Sequence, residues 1–305
     1  VLRVEAEVAY PPVSVDMKLI KVSEHVYFVQ GATGVATDNE GFISNATAVI
    51  DDKGITIIDA LGSPSLAQRF LELIREVSDL PVKRVIATHY HADHIYGLQV
   101  FKGMGAEIYA PDGVNDYLNS QAAADRLEER RFSLEPWVNE NTRLVAPDVT
   151  ISRSMSIQED GVKLTINYLG KAHSDADLTV FVEPDNVFVT GDVIFEGRIP
   201  FVGDSDSKAW LKTLDSMAGK KGINALIPGH GGLASNPQKA ITLTRDYLAY
   251  LRENLGPGVE QLMSFDEVYD SIDWGPFEQL PAFALGNRIN AYQVFLSLEK
   301  ELLER

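Results

Sequence analysis

The chain predicts an α/β fold: a two-sheet sandwich with helices on the outside. Three observations predict it. Each half of the chain opens with extended, β-rich runs and then alternates strand with helix. Apolar residues make up 45% of 305, ordinary for a protein with a full core. A buried-type strand over Val82–Thr88 ends in Thr88-His89-Tyr90-His91-Ala92-Asp93-His94, and open α/β sheets place ligands at that end of a strand. No short-period repeat is present.

Residues 1–16 hold Pro11 and Pro12 with little periodicity and read as an arm; 17–305 read as one domain with a helical tail. Lys18–Val22 and Val26–Gln30 are strands, with His25 as a solvated turn histidine between them. Gly31–Phe42, with three glycines, is either a lid or a plain connector. Asn45–Asp51 and Gly54–Asp59 form a hairpin around Asp51-Asp52-Lys53-Gly54. Apolar spacing of three and four over 64–78 marks an amphipathic helix, with Ser63 as its cap and Pro81 closing the turn that follows. Beyond the histidine cluster come a helix over Ile95–Gly103, a strand over Glu107–Ala110, and a charged helix from Asp112 to about Arg131. The stretch Phe132–Val149 is irregular. Val162–Leu169, Leu178–Glu183, Val187–Thr190 and Ala225–Pro228 are strands. Ser207–Ala218 and Asn236–Asn254 are helices, and the tail from Phe265 is helical with breaks near Pro276 and Pro281.

Composition narrows the function. The net charge of −17 disfavours nucleic acid, which needs basic stripes, and anionic membrane surfaces. No apolar run reaches membrane-spanning length. The absence of cysteine excludes disulfides, thiolate nucleophiles and Cys-ligated metals. The chain begins with Val and shows no signal peptide, so the expectation is a trimmed leader and export to the periplasm or beyond, with a cytoplasmic location as the alternative.

Five of the six histidines fall at or near predicted strand ends. Residues two apart on extended chain point the same way, so His89 and His91 can reach one ion. Asp93 and His94, where the chain turns into helix, face a neighbouring ion. His173, Asp192 and His230 complete the set. Catalytic zinc takes about three protein ligands and an open position, so seven candidates suit two ions. His89, His91 and His173 would hold one, Asp93, His94 and His230 the other, and Asp192 would bridge. Imidazole and carboxylate suit Zn²⁺ foremost, with Fe and Mn as alternatives. Glycines before Asp192 and His230, and Gly170 ahead of His173, let backbone crowd close. Asp59 ends a strand at the same edge and reads as an acceptor for a ligand ring N–H.

In order and spacing, these residues resemble the metallo-β-lactamase superfamily pattern His-x-His-x-Asp-His, then His, Asp and His. The resemblance covers roughly residues 18–235. It implies a four-layer αβ/βα sandwich of the metallo-β-lactamase type and hydrolase activity, and it supports the role for Asp59. The metal set is similar to that of glyoxalase II and the lactonases, and Gly191–Phe201 resembles zinc hydrolases associated with sulfur oxidation and quinoprotein systems. The expected function is hydrolysis of an ester-like bond (thioester, lactone, ester or β-lactam/amide) in a small-molecule substrate by a metal-bridging hydroxide, with Asp93 orienting the nucleophile or taking its proton. The rivals are a mononuclear iron persulfide dioxygenase and a non-catalytic metal-binding module. Tyr90, Tyr96, Trp137, Phe195 and Phe201 are candidate pocket walls. Arg198 is read as a substrate-carboxylate partner or a surface salt bridge, and Asn287 and Asn290 as helix caps or site residues. Oligomeric state is not encoded legibly.

Overall fold

A computed structural model describes residues 10–159, 161–203 and 205–304. Residues 1–9 of the expected arm lie outside the described residues. Residues 10–16 run along the surface, where Tyr10, Val13 and Val15 pack on the core and Trp137 donates its indole N–H to the Pro12 carbonyl at 3.1 Å.

The first half builds a seven-stranded sheet in chain order: β1 (Ile20–Lys21), β2 (Val26–Val29), β3 (Ala46–Ile50), β4 (Ile55–Ile58), β5 (Val82–Ile86), β6 (Glu107–Pro111) and β7 (Val149–Ile151). Antiparallel pairing from β1 to β4 gives way to parallel pairing from β4 to β7. Parallel neighbours require crossovers, and helices supply all three of them. Between β4 and β5 lies α1 (Pro64–Arg75), with Ser63 accepting from the Leu66 N–H and Pro64 in its first turn. Between β5 and β6 lie α2 (Ala92–Ile95) and α3 (Leu98–Gly103), so the expected single helix is two short ones. The charged run is likewise split into α4 (Val114–Leu118) and α5 (Gln121–Ser133), because Ser120 caps a new helix through the Ala123 N–H.

The second half builds a five-stranded sheet, β12-β11-β10-β9-β8, from β8 (Met155–Gln158), β9 (Lys163–Gly170), β10 (Asp177–Glu183), β11 (Val187–Phe195) and β12 (Ala225–His230). The short edge strands β7 and β8 were not anticipated; they carry little burial to pattern their sequence. On the outer face lie α6 (Ser207–Met217), α7 (Pro237–Glu260), α8 (Phe265–Ser271) and α9 (Phe283–Leu303).

Three apolar clusters mark the layers. Phe28, Ile58 and Ile86 of the first sheet meet Leu164, Val180 and Ile227 of the second. Leu66, Phe70 and Phe101 cover the outer face of the first sheet; Trp210, Tyr247 and Phe295 cover that of the second. The result is the expected four-layer αβ/βα sandwich. At one end the sheets are joined by backbone bonds from Leu178 N–H to the Thr88 carbonyl and from Asn45 N–H to the Gly229 carbonyl, both 2.8 Å. At the other end His25 bonds Asp185 at 2.8 Å, so it is a half-buried inter-sheet tie and not a solvated turn residue. No helix among the described residues is long and apolar enough to cross a membrane.

Candidate metal centre

The seven expected residues converge at the first of these ends. His89 lies in the bend that follows β5, His91 is on extended backbone just ahead of α2, and Asp93 and His94 sit on α2. His173 lies in the turn between β9 and β10, Asp192 within β11, and His230 at the end of β12. They form two groups, His89-His91-His173-Asp192 and Asp93-His94-His230, in each of which the nearest nitrogen and oxygen atoms lie within 4.8 Å of one another. Asp192 touches both: its Oδ2 is 3.3 Å from His173 Nε2 and 3.2 Å from His230 Nε2, and its Oδ1 is 3.1 Å from His94 Nε2.

Hydrogen bonds behind the rings decide what the rings present in front. A carbonyl only accepts, so the 2.7 Å contact of His230 Nδ1 with the Ile43 carbonyl places the proton on Nδ1. His94 Nδ1 is 3.0 Å from Asp59 Oδ2, again with the ring as donor. Thr88 gives its hydroxyl proton to Asp59 Oδ2 at 2.8 Å, so its oxygen accepts from His89 Nδ1 at 3.1 Å. Each of these rings therefore turns an Nε2 lone pair toward the carboxylates. Lone pairs facing lone pairs in a buried site repel unless a proton or a metal cation lies between them. Consistent with that demand, His89 Nε2, His94 Nε2, His173 Nδ1 and Asp192 Oδ1 are buried without hydrogen-bond partners. The donor set fits divalent ions.

Electrostatics show the same tension. Burial works against charge on His230, but Asp192 and Asp93 overcome it and push its pKa up to about 9. On His173 burial wins, and the pKa falls to about 3 despite Asp192. Burial opposes charge on Asp93 too, yet His94 and His230 hold its carboxyl well below the usual range.

Two glycines are required here. A Cβ on Gly229 would sit 1.9 Å from Asp192 Oδ1, and one on Gly191, at φ 52°, would sit 2.4 Å from Thr88 Oγ1. Gly170 is different: nothing lies near its Cβ position, and its φ of 67° makes it a turn residue, not a point of crowding. Asp59 itself holds φ at 61°, a sparsely populated conformation for a residue with a side chain. Its second oxygen accepts the Thr88 N–H at 2.7 Å, so one carboxylate orders both ends of the histidine motif.

Sequence reading missed several supports. Asn45 clamps the His230 turn, donating to the carbonyls of Pro228 at 2.8 Å and Gly231 at 3.0 Å. Asp177 accepts from Ser174 N–H and Oγ, and burial pushes its pKa up to about 7; it braces the His173 turn. Trp210 packs edge-on to His173, with 5.1 Å between ring centroids. Asn45 and Trp210 carry no local spacing signal, because each acts across elements; Asp177 lies only three residues from its partner Ser174, and that short spacing was the one signal available.

Of the expected walls, Phe195 stacks on His230 at 5.3 Å and 2°, and Tyr90 lines a cleft of about 1150 Å³ that runs from His91 past Tyr117 and Lys171 to Leu296 of α9. Tyr96 is core, Trp137 holds the N-terminal segment, and Phe201 is exposed. Asn287 and Asn290 neither cap a helix nor enter the site. Asn287 bonds Tyr247, and Asn290 pins the chain at Pro200 and Val202.

Comparison with known proteins agrees with this architecture. Residues 39–230, more than half of the chain, match the family model described as the metallo-beta-lactamase superfamily. A type 2 metallo-beta-lactamase of Bacteroides fragilis is 23% identical over 234 residues, 73% of this chain and 86% of that protein. A linear primary-alkylsulfatase of a Pseudomonas species is 24% identical over 260 residues, 73% of this chain and 49% of that protein. Among solved structures, a sec-alkylsulfatase from Pseudomonas superposes with a TM-score of 0.72 at 20% identity, covering 92% of this chain and 50% of that one. A metallo-beta-lactamase from Pontibacter korlensis gives 0.59 at 20% identity, covering 77% and 99%. The chain thus spans about half the length of the alkylsulfatases it matches. With the layered sheets, the histidine motif at the end of β5 and a family match across both, the chain belongs to the metallo-β-lactamase superfamily.

Proposed function

We propose that the chain is a hydrolase of small molecules that uses two divalent ions, zinc foremost, to cleave an ester-like bond. The observation that carries this reading is the convergence of seven ligand-type side chains on shared space, with buried ring nitrogens and a carboxylate oxygen left unpartnered. His89, His91 and His173 would hold one ion; Asp93, His94 and His230 the other; and Asp192, in contact distance of both groups, would bridge. Such ions, when bound, polarise the scissile group and bring the pKa of water toward neutrality.

The protein's own part is orientation and proton handling. Asp59, Thr88 and Ile43 hold three rings in the tautomer that offers Nε2. Asp93 is the half-buried carboxylate of the site, and its Oδ2 lies 3.2 Å from His230 Nε2. From there it takes the proton of the attacking water and returns it to the departing atom, so the water divides between the two products. The cleft beyond His91 receives the rest of the substrate. Names of relatives widen the candidate bonds to sulfate esters alongside thioesters, lactones, esters and β-lactams. Periplasmic export belongs to this reading as well, on the resemblance of residues 191–201 alone.

The test is metal analysis of the purified protein together with turnover of a panel of these five ester-like classes and phosphoesters. Two ions per chain and turnover lost with the metal are the expected results. One iron per chain with oxygen uptake would move the assignment to persulfide oxidation, and turnover that survives metal removal would end it.

A further inference from the structure

The helix α9 is apolar on two faces. Inward, Ala291, Val294 and Phe295 join the core of the second half, and Asn290 bonds Tyr247 of α7. Outward, Leu285, Ile289, Tyr292, Leu296 and Leu303 are exposed, from 40% for Leu296 to 87% for Leu303. They are five of the fourteen exposed large apolar residues among those described, and the other nine are scattered over the rest of the chain. Their spacing is four, three, four and seven, so all five lie on one stripe, and Glu299 holds the one position of this heptad pattern that is not apolar. A surface helix ordinarily turns polar residues to water on that side; a helix apolar all round is covered on both.

The two flanks of the stripe differ. On one, Tyr292 packs edge-on to Phe265 of α8 with 5.0 Å between ring centroids, and Arg288 donates to Asp266 at 2.6 Å while keeping further guanidinium donors. Glu299 borders the same flank and has no cation partner among the described residues. On the other flank, Gln293, Ser297 and Lys300 line the cleft that runs from His91. Two such helices laid antiparallel, with a two-fold axis at Val294, set Leu285 against Leu303 and Tyr292 against Leu296. Ile289 then meets Glu299, and Arg288 of the second copy lies beside that carboxylate. Laid parallel, Glu299 would meet Glu299, so the charges select the antiparallel arrangement. The arrangement is self-complementary, as a two-fold dimer requires. Each stripe leaves roughly 500 Å² uncovered, large for the surface of a monomer. Pairing two removes about 1,000 Å², the area a specific interface needs.

We propose that α9 is the contact surface of a homodimer, in which the α9 of a second copy of this chain packs antiparallel on the stripe. The second copy then stands alongside the cleft. The pairing is independent of the hydrolase reading, because association is measured without turnover.

The experiment is sedimentation equilibrium of the full chain. Between about 1 and about 200 µM, the range for an interface of this size, the mass should rise from 33.6 kDa toward twice that value. Ile289→Glu sets a carboxylate against Glu299 of the second copy and should weaken the dimer at least about 100-fold, the scale of like charges brought together in an interface. Adding Glu299→Lys restores opposite charges across the antiparallel pair, and the double variant should dimerise again. In a parallel pair the same two changes put like on like. Glu299→Leu alone completes the stripe and should tighten the dimer about 10-fold. Both positions are exposed, so melting temperatures should match the parent chain and separate lost contact from lost fold. Should Ile289→Glu fail to fold, the tightening by Glu299→Leu still decides. A parent chain that stays at 33.6 kDa throughout, a dimer indifferent to Ile289→Glu, or a double variant that stays monomeric would overturn the proposal. In the first case, co-flotation of the monomer with phosphatidylcholine vesicles would give the stripe to a lipid surface instead.

Discussion

The two ends of the sandwich join the sheets with the same residue types and reach opposite results. At one end His25 and Asp185 meet as donor and acceptor: the ring N–H and the backbone N–H each find a carboxylate oxygen, at 2.8 and 3.1 Å. At the other, rings already committed through Nδ1 turn lone pairs on Asp93 and Asp192. The difference lies in the bookkeeping of protons. A histidine with one acceptor is satisfied; several with their protons spent behind them leave a charge deficit in front. The contrast separates a structural His–Asp pair from a cation site without reference to burial, since both are sheltered.

Asp192→Ala should break the contrast most severely, because it removes the carboxylate common to both groups. Metal content should fall below two per chain, and turnover by about 10³-fold, the upper range for loss of one preorganised electrostatic group. Metal analysis and steady-state kinetics on the same preparation check this.

Chelation should come next. Ions that bind only the folded chain contribute about 4 kcal/mol when present at a thousandfold excess over Kd. Stripping them should lower the melting temperature by several degrees, and adding zinc should restore it. The same treatment should leave the His25–Asp185 end untouched, which His25 resonances in NMR spectra would show.

How much of this was legible in sequence follows from the same distinction between local and distant partners. The helix α1 announced itself through Ser63, Pro64 and apolar spacing, all within one segment. The histidine motif was visible because four of its members lie within six positions. His173, Asp192 and His230 were visible through the family pattern. The tie between His25 and Asp185 was not, because 160 residues separate the partners and neither is unusual where it stands. Arg198 was ambiguous for the same reason: only the fold shows it half-buried with its guanidinium over the Phe195 ring. Strands β7 and β8, short and half-exposed, lack the alternation that marks buried strands.

Asp59→Asn tests the rule at its origin with a milder change. The amide keeps an acceptor for Thr88 N–H but turns N–H groups toward Thr88 Oγ1 and His94 Nδ1. To avoid donor facing donor, His94 must shift its proton to Nε2, which then cannot offer a lone pair. Metal affinity should fall about 10- to 100-fold, the usual consequence of losing the partner behind a ligand ring. Competition with a chromophoric chelator measures it. An unchanged affinity would mean that the proton on His94 is not set by Asp59.

The smallest effect belongs to the satisfied end. Burial works against the Asp185 charge, but Ser23 and His25 outweigh it and lower its pKa. A carboxyl whose folded pKa is depressed adds stability at pH values above its unfolded pKa, and loses it as pH falls through the folded value. Asp185→Asn should therefore cost stability at neutral pH, and the gap to the parent chain should close below the usual carboxylate range. Because the pair is partly solvated, the cost should be about 1 kcal/mol or less, a melting shift on the order of 2 °C. Melting curves of both proteins from pH 7 to pH 3 give the comparison, and metal content should be the same in each. A loss of metal in Asp185→Asn would show that the two ends are coupled through the sheets, and the division between them would fail.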